Sequence, residues 1–593
     1  MMGTLLLISL GPVQDFIASA RKLRDLWSGS YMLSEFSKTV ARTLERNGAE
    51  LIFPAPENSN ELEKETPLIV ANKILAIVAS PEEAERLQNV AKGAWKEHFD
   101  SFGQTTSSFI ERRFKHISIN KELFDSEMKD YGEFFAVWTP INNFESYQDA
   151  RARVESMLAS RKNLRAFKAP EWEGAGIPKN SLDGMRECVL KKAPEITGLL
   201  KKNEKLDAIG CIKRFNFSDG AIDKRHFSDL AEMSLVPWLN GAEDDYAKVD
   251  LINAFQDAIA PDSTAVGSKR QVSTTIPLKI GAENFFCESS DFEKMYKDQA
   301  RGIWNYRKQM VKVCGEPPLY SVIMVGDGDH MGKMIDAIPD KDAHKLFSRK
   351  LSEFSKRVTH IIDKAGGSVI YAGGDDVMAY LPLHTAVACA DEMRLTFYEE
   401  METLCDLLGP DSITVPTFSV GMAVVHYKHP LDRALDLARK AESIAKNLGG
   451  RNSMALIQSK RSGSDVTVYG KWDAEGELLG IAERINRICN LYNKDEQVLP
   501  SKLGYDLRRV LIETGGSSAM SFSVDGGVLR PVNATAALVK LVFDHKNDGN
   551  AAKNEQLRAL LEGRTDVAQL ADELVIVRLI AQANKLAKGA QSK

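Results

Sequence analysis

Two neighbouring carboxylates follow a pair of glycines in the segment Gly373-Gly374-Asp375-Asp376. The apolar runs on either side, residues 368–372 and 377–381, predict two β-strands joined by a tight hairpin, with Gly-Gly as the favoured two-residue connection. Adjacent like charges repel each other, which raises one pKa unless a cation neutralises them. The tetrapeptide therefore predicts either the metal-binding turn of a nucleotidyl-transfer site or an ordinary solvated acidic turn.

A second acidic segment lies upstream, where an apolar run leads into Gly326-Asp327-Gly328-Asp329 and then into a predicted helix start. If this strand pairs beside the hairpin, Asp327 meets Asp375 and Asp376, and the three carboxylates offer the hard oxygen ligands that Mg²⁺ or Mn²⁺ prefers. Two such ions, held about 4 Å apart, would stabilise the attacking and leaving oxygens of a phosphoryl displacement. Asp329 either shares a face with Asp327 or caps the helix that follows.

A third segment supplies positive charge. Residues 415–425 predict a strand, and apolar residues at helical spacing after Pro430 predict an amphipathic helix whose polar face carries Lys446. The loop Gly449-Gly450-Arg451-Asn452 follows this helix. Cations at a helix C-terminus are stabilised by the macrodipole alone, but a polymerase-like site also needs positive charge where pyrophosphate leaves. Lys446 and Arg451 are therefore predicted either to bind triphosphate or to stabilise the helix end.

The order of these elements resembles the palm domain shared by nucleotide cyclases and polymerases. Three further segments, residues 8–30, 181–187 and 206–214, resemble the large subunit of type III-B (Cmr-type) CRISPR effector complexes. The resemblance runs from the first strand to about residue 460. It implies an α+β multidomain protein with two ferredoxin-like palm domains, a mostly helical insertion and a C-terminal helical domain. The boundaries that we expect are 1–165 for the first palm, 166–315 for the insertion, 316–460 for the second palm and 461–593 for the helical domain.

The resemblance also implies a function. Members of this family sense target RNA paired to a guide RNA and then polymerise ATP into second-messenger oligoadenylate, with a cyclic oligoadenylate as the expected product and a related adenylate conjugate as an open alternative. It implies that two Mg²⁺ or Mn²⁺ ions are cofactors, that ATP is the substrate, and that other subunits of the complex, guide RNA and target RNA are the partners. A non-catalytic RNA-binding scaffold with a vestigial palm is the competing hypothesis. A diguanylate-cyclase-like protein ranks third, because Gly-Gly-Asp-Asp replaces Gly-Gly-Glu-Glu-Phe and a second palm is present.

Site residues carry over from the family motifs onto the matching positions of this sequence. The resemblance implies catalytic and metal-binding carboxylates together with a glycine that lets the metals approach, and these are Asp327, Asp375, Asp376 and Gly328. The implied nucleotide contacts of the second palm are Gly328, Asp329, Gly373, Gly374, Lys446 and Arg451. The first palm would lend a second nucleotide pocket through Arg21, Ser28, Gly29 and Ser30, unless this stretch is a basic amphipathic helix start with Trp27 in the core.

The first palm is expected to be catalytically silent, because its opening strand ends in Gly11-Pro12-Val13-Gln14 and Asp15 stands alone. One carboxylate cannot hold two metal ions. Such a domain either shapes the acceptor site or is a duplicated scaffold retained for packing. The palm strand begins almost at Met1, so we expect no HD-type nuclease domain and no DNA cleavage.

Composition narrows the class of protein further. The 593 residues are 44% hydrophobic and 27% charged, without a stretch as long as a membrane span, which predicts a soluble cytoplasmic protein. The seven cysteines include no close pair, so no structural zinc is expected. Because the formal net charge is −5, RNA contacts must come from local basic patches such as residues 112–116 and 161–168. Each patch could equally be a solvated helix face.

Overall fold

The computed structural model describes residues 3–164, 176–196, 199–216, 229–260, 275–408, 414–476, 478–493, 499–525, 528–546, 555–556 and 559–589. The predicted boundary at residue 165 and the basic residues 165–168 lie outside these ranges.

The N-terminal part of the chain forms a four-stranded antiparallel sheet with strand order β2-β3-β1-β5. In sequence order this is the ferredoxin-like arrangement, in which the first strand lies between the third and the last. Its strands are β1 (Thr4–Gly11), β2 (Glu50–Phe53), β3 (Lys73–Val78) and β5 (Glu133–Pro140), and a short β4 (Ser118–Ile119) lies outside the sheet. The helices of this part are α1 (Gln14–Ala18), α2 (Leu23–Arg46), α3 (Pro81–Arg113), α4 (Lys121–Asp130) and α5 (Tyr147–Asn163).

The segment between the two sheets is mostly helical. It contains β6 (Leu190–Lys192), which pairs with β4, and the helices α6 (Ala208–Phe215), α7 (Leu230–Asn240), α8 (Tyr246–Ile259), α9 (Ser289–Tyr296) and α10 (Ala300–Cys314). Helix α6 is tied to the first palm by buried charges. Arg214 donates to both carboxylate oxygens of Asp25 at 2.6 and 2.7 Å and to Glu204 at 3.0 Å. The neighbouring ammonium of Lys213 donates to the carbonyl of Phe16 at 2.7 Å.

A second sheet has six strands in the order β12-β11-β10-β7-β9-β8. Its four palm strands repeat the ferredoxin-like order, and β11 joins β10 in parallel. The strands are β7 (Tyr320–Gly328), β8 (Ser368–Gly373), β9 (Asp376–Pro382), β10 (Phe418–His426), β11 (Ser453–Gln458) and β12 (Val466–Lys471). The helices are α11 (Met331–Ala337), α12 (Lys341–Lys364), α13 (Ala386–Leu408) and α14 (Leu431–Asn447). The predicted boundary at residue 460 falls between β11 and β12, two hydrogen-bonded strands of this sheet.

The C-terminal part packs helices on the same core. Its elements are α15 (Ile481–Asn493), α16 (Leu503–Glu513), α17 (Ala534–His545), α18 (Val567–Ala587) and a hairpin of β13 (Phe522–Asp525) and β14 (Val528–Pro531). Within the described ranges, no helix combines the length and the apolar character that crossing a bilayer requires.

Strand β7 is buried on both faces, which explains its unbroken apolar run. Val322 and Met324 point into a core shared with α12, α13 and the C-terminal helices, whereas Ile323 and Val325 point into a core shared with α14 and the first palm. A strand covered on both faces has apolar residues at every position rather than at alternate ones. The acidic residues begin where this run ends, and Asp327 is the first of them to be partly exposed.

The two palms contact each other directly. Helix α2 packs against β8, the strand that leads into the acidic hairpin. On α12, Lys341 pairs with Glu50 of β2 at 2.8 Å, and His344 Nδ1 lies 2.9 Å from the hydroxyl of Tyr147. The α+β architecture with two palm-type sheets is thus confirmed, and the first palm supports the second near its hairpin.

Candidate active site

Three carboxylates meet at the end of β7. The strand lies between β9 and β10, and the register places Asp327 directly opposite Asp376 on one side and opposite Ser419 on the other. Residues directly opposite each other in an antiparallel pair have Cβ atoms about 5 Å apart. The backbone N–H of Gly328 donates to the carbonyl of Asp375 at 3.2 Å, which fixes the turn against the strand end. The structure therefore brings Asp327, Asp375 and Asp376 to one corner of the sheet.

The hairpin turn is Gly374-Asp375, one residue later than the Gly-Gly connection that the sequence predicts. Gly373 remains in β8 and pairs with Asp376, the first residue of β9. Of the two glycines, Gly374 has the positive φ, at 69°. Gly373 is needed for space instead, because the ring of Tyr371 occupies the position that a Cβ would take. Only Asp375 therefore lies on the tip, whereas Asp376 lies on the strand beside Asp327.

The carboxylates perturb one another. Burial raises the pKa of Asp375 to about 6, and the charge of Asp327 contributes to this shift. The side chain of Asp376 reaches solvent, but the protein atoms around it still desolvate its carboxylate, and together with Asp327 and Asp375 they raise its pKa to about 7. Perturbed carboxylates that crowd one corner are typical of functional sites, because they are stable only with a proton or a cation.

Lys446, in the last turn of α14, pairs with Asp327 and also with Glu442, the latter at 2.7 Å. Burial lowers the pKa of Lys446, but its hydrogen bonds to Asp327 and Glu442 outweigh this effect and raise the pKa above its ordinary value. The side chain is therefore an ammonium at neutral pH. Burial raises the pKa of Asp327, and the bond from Lys446 offsets only part of that effect. Helix α14 packs closely on β10 because Gly421 of β10 has no side chain. A Cβ at this position would overlap the backbone of Glu442 in α14.

Asp329 lies beside this corner but is buried. Its side chain is fully buried and accepts hydrogen bonds from Thr417 Oγ1 at 2.8 Å, Ser419 Oγ at 2.8 Å and the backbone N–H of Asn452 at 2.9 Å. It does not cap α11, since the residue at that position is His330 and makes no side-chain cap bond. Of the two roles considered from the sequence, the helix cap is therefore wrong, whereas the bond from Ser419, which lies directly opposite Asp327, agrees with a face shared by Asp327 and Asp329. A nucleotide contact by Asp329 stays a prediction. Asp329 ties the ends of β7 and β10 to the loop after α14.

That loop has an unusual backbone. Gly450, Arg451 and Asn452 have successive φ values of 71°, 64° and 42°. Left-handed conformations are costly for residues other than glycine and persist only when the surroundings hold them. Here Asp329 holds Asn452, and Lys471 donates to the carbonyls of Gly450 and Arg451 at 2.7 and 2.8 Å. The result presents the Arg451 guanidinium, about two-fifths exposed, at 3.8 Å from Asp329.

The first-palm residues singled out from the sequence have a different setting. Arg21 is exposed just before α2, whereas Ser28, Gly29 and Ser30 lie inside α2 and are buried. A Cβ on Gly29 would lie 3.4 Å from Lys213 Cδ and 3.5 Å from Phe16 and Ile17. These small residues thus allow close packing of α2 against α1 and Lys213. A nucleotide-binding role for them stays a prediction.

The end of β1 in the first palm differs in its chemistry. Ser9 is paired with Lys73 of β3, and the side chain of Asn72 donates to the carbonyl of Leu10 at 3.0 Å. A lysine and an amide thus stand beside this strand end, together with the carboxylate of Glu133, which lies opposite Gly11 on β5. A catalytically silent first palm stays a prediction.

The donor set of the second palm fits divalent ions, because three hard carboxylates with raised pKa values gain from a cation. Their present arrangement is not a finished site: within the part of the chain that the structure describes, no three His, Cys, Asp or Glu side chains are placed to hold a metal ion. Asp327 forms an ion pair with Lys446 instead. Asp327, Asp375 and Asp376 would hold the ions once that ammonium moves.

Sequence reasoning missed the residues that organise this site, namely Thr417, Ser419, Glu442 and Tyr371. Only one local signal pointed to them, the two hydroxyls at alternate positions at the start of the predicted strand. Alternate residues share a face of a strand, so Thr417 and Ser419 could have been expected to bind one common group.

Comparisons with known proteins agree with this geometry. Residues 320–455 match the family described as Cas10/Cmr2, second palm domain, and residues 5–104 match CRISPR-associated protein Cmr2, N-terminal. The chain is 26% identical over 561 residues to CRISPR system Cmr subunit Cmr2 of Pyrococcus furiosus, an alignment that covers 79% of this chain and 63% of that protein. The chain thus spans less than two thirds of the length of this relative.

Two solved structures share the fold. Type III-B Cmr-beta in the apo state, determined by cryo-EM, gives a TM-score of 0.64 at 13% identity, covering 98% of this chain and 82% of the other. Type III-B Cmr-beta bound to cognate target RNA gives a TM-score of 0.65 at 13% identity, covering 98% and 83%. In sequence, the N-terminal part of the chain and its second palm thus resemble the Cas10/Cmr2 family, and the overall fold resembles that of the Cmr-beta chains.

Proposed function

We propose that this chain is the nucleotidyltransferase subunit of a type III-B CRISPR effector complex and that it joins adenylates from ATP into a second-messenger oligoadenylate. The observation that carries the proposal is the register of β7 and β9, which sets Asp327 opposite Asp376 beside the turn residue Asp375. Three carboxylates at one strand end suit phosphoryl transfer, in which the protein mainly positions charge.

In the proposed reaction, the 3′-hydroxyl oxygen of one nucleotide attacks the α-phosphorus of ATP, the bond to the β-phosphate oxygen breaks, and pyrophosphate leaves. Two Mg²⁺ or Mn²⁺ ions, when bound, would supply the positive charge that favours loss of the hydroxyl proton and departure of pyrophosphate. Asp327, Asp375 and Asp376 would hold the ions. Gly374, which has no atom within 4 Å of its Cβ position, leaves room for the nucleotide beside the turn, whereas Gly328 packs against Met331 and Asp375 and shapes the turn itself. Lys446 and Arg451 attract the triphosphate.

The proposed partners are the other subunits of a type III-B complex, a guide RNA and a target RNA. The sequence similarity to the Cas10/Cmr2 family supports them, as does the structural likeness to a chain of Cmr-beta bound to cognate target RNA. Arg21 of the first palm lies on the surface before α2, where it could contact an acceptor nucleotide. Analysis of the reaction products decides whether the oligoadenylate is cyclic.

One observation favours a second candidate, a non-catalytic scaffold subunit. The ion pair between Lys446 and Asp327 already neutralises a carboxylate that catalysis needs. In a vestigial palm this pair would be permanent, and neither metal ions nor ATP would engage the corner.

The test is ATP conversion by the assembled, target-RNA-bound complex in Mn²⁺, with the products identified by mass spectrometry. The double variant Asp375→Ala, Asp376→Ala should lose oligoadenylate synthesis by a factor of at least about 10³, since metal-ion charge stabilisation contributes several kcal/mol to such reactions. Its matched control is Asp432→Ala, Asp436→Ala, which removes two exposed carboxylates from α14. Full activity of the first variant, or no synthesis by the wild-type complex, would reject the enzymatic proposal in favour of the scaffold.

A further inference from the structure

We infer that Lys446 is an exchangeable counter-cation: it neutralises Asp327 while the site is free of metal and moves to the substrate phosphates when divalent ions bind. This inference rests on the proposed function and deepens it. It assigns Lys446 two successive partners: first a carboxylate of the protein, then a phosphate of the bound nucleotide.

The first step of the argument is the contact itself. The Lys446 ammonium bonds Asp327 and, at 2.7 Å, Glu442, which lies one helical turn earlier on α14. Asp327 lies directly opposite Asp376, which follows the turn residue Asp375. The ammonium therefore binds the carboxylate of β7 that faces the hairpin aspartates, where a metal ion would have to bind.

The second step is that one ammonium is an incomplete substitute. Three carboxylates of the corner together with Glu442 carry four potential negative charges, whereas Lys446 carries one positive charge and bonds Asp327 and Glu442. A divalent ion neutralises more charge with oxygen ligands than an ammonium does. Divalent ions should therefore displace Lys446 from Asp327.

The third step concerns where the ammonium goes. The side chain is about one-fifth exposed and Glu442 about as much, so the head group borders solvent. Lysine carries a point charge on a flexible stem, which lets it change partners without moving the helix. Lys446 also lies in the last turn of α14, shortly before the loop that presents Arg451. The released charge thus stays beside the place proposed for the triphosphate.

The consequence is a coupling between two ligands. Metal binding releases Lys446 for phosphate, and phosphate draws Lys446 away from the metal ligands, so each ligand favours the other. Removing the ammonium should separate the two effects. Without nucleotide, a variant that lacks the ammonium should bind the metal ion more tightly, because the competitor for Asp327 is gone. With the metal bound, the same variant should bind nucleotide more weakly, because a phosphate contact is lost.

The experiment measures binding to the purified full chain, without turnover. Mn²⁺ affinity is determined by electron paramagnetic resonance in the absence of nucleotide, and affinity for AMPPNP, a nucleotide analogue, is determined by calorimetry in saturating Mn²⁺. Lys446→Gln should bind Mn²⁺ roughly five- to tenfold more tightly and AMPPNP about tenfold more weakly than wild type, as expected for one partly exposed charge contact. Lys440→Gln, which removes an exposed charge from the same helix, should change neither affinity.

Two further variants separate the possible failures. Lys446→Arg keeps the charge and should bind Mn²⁺ like wild type, so tighter Mn²⁺ binding by this variant overturns the counter-cation role. Unchanged or weaker Mn²⁺ binding by Lys446→Gln overturns it as well. Asp327→Asn, Asp376→Asn tests the proposed function instead: if Mn²⁺ binding survives this change, the corner is not the metal site, whatever Lys446 does.

Discussion

Replacing Asp329 by alanine should loosen the loop after α14 without touching the metal ligands. The buried carboxylate accepts bonds from two hydroxyls, each at 2.8 Å, and from the backbone N–H of Asn452 at 2.9 Å. A buried donor that loses its acceptor costs about 1–3 kcal/mol. The hydroxyls can rotate toward other acceptors but the N–H cannot, so we expect a local loss of about 1–3 kcal/mol in Asp329→Ala. Asp329→Asn keeps one acceptor oxygen and should lose about half as much.

The measurement is hydrogen exchange of the full chain, followed by mass spectrometry of peptides that cover residues 449–453 and 417–420. A multidomain chain does not unfold in one two-state step, so a local probe is more informative than a global melting curve. A loss of about 1–3 kcal/mol predicts exchange roughly 5 to 150 times faster in these peptides. Asp436→Ala, at an exposed position of α14, is the matched control and should leave them unchanged.

Two results would refute the reasoning about Asp329. If exchange in both peptides stays at the wild-type rate in Asp329→Ala, the carboxylate does not hold the loop. If this variant keeps the wild-type exchange pattern and loses Mn²⁺ binding, Asp329 acts as a metal ligand despite its burial.

Two further predictions concern the corner itself. Gly328→Ala places a Cβ 2.9 Å from that of Asp375, so the turn must shift and Mn²⁺ affinity should fall about tenfold, whereas Gly332→Ala, with no atom within 4 Å, should leave it unchanged. The pKa values of about 6 at Asp375 and about 7 at Asp376 lie above those of the same groups in the unfolded chain. Between about pH 4 and pH 7 the folded protein therefore binds more protons than the unfolded chain. Its stability falls as the pH rises through that range. In metal-free buffer the Tm of wild type relative to Asp375→Asn, Asp376→Asn should therefore decrease from pH 4 to about pH 8, and a constant difference would contradict these shifts.

The elements that carry the site were predictable because their signals are local. The apolar run before Asp327, the alternating runs around the hairpin and the helical spacing before Lys446 each specify an element within about ten residues. Order along the chain then suffices to place Asp327 near Asp376, since a palm puts its first strand beside the third.

The details that failed depend on contacts between distant segments. Asp329 turns inward because Thr417 and Ser419 of β10 and the N–H of Asn452 surround it, and the local sequence contains none of these partners. Local patterns specify which strand ends carry acids, and long-range packing decides which of those acids face solvent.

The buried pair between Arg214 and Asp25 has a consequence for biosynthesis. Both side chains are fully excluded from solvent, and the partners lie 189 residues apart in sequence. Leaving one member of such a pair alone in the interior costs about 3–5 kcal/mol. A polypeptide emerging from the ribosome presents Asp25 long before its arginine exists, so the N-terminal sheet should reach its final stability only after residue 214 has left the exit tunnel. A fragment that ends at residue 165 lacks Arg214, so its N-terminal sheet would remain less stable by the same amount.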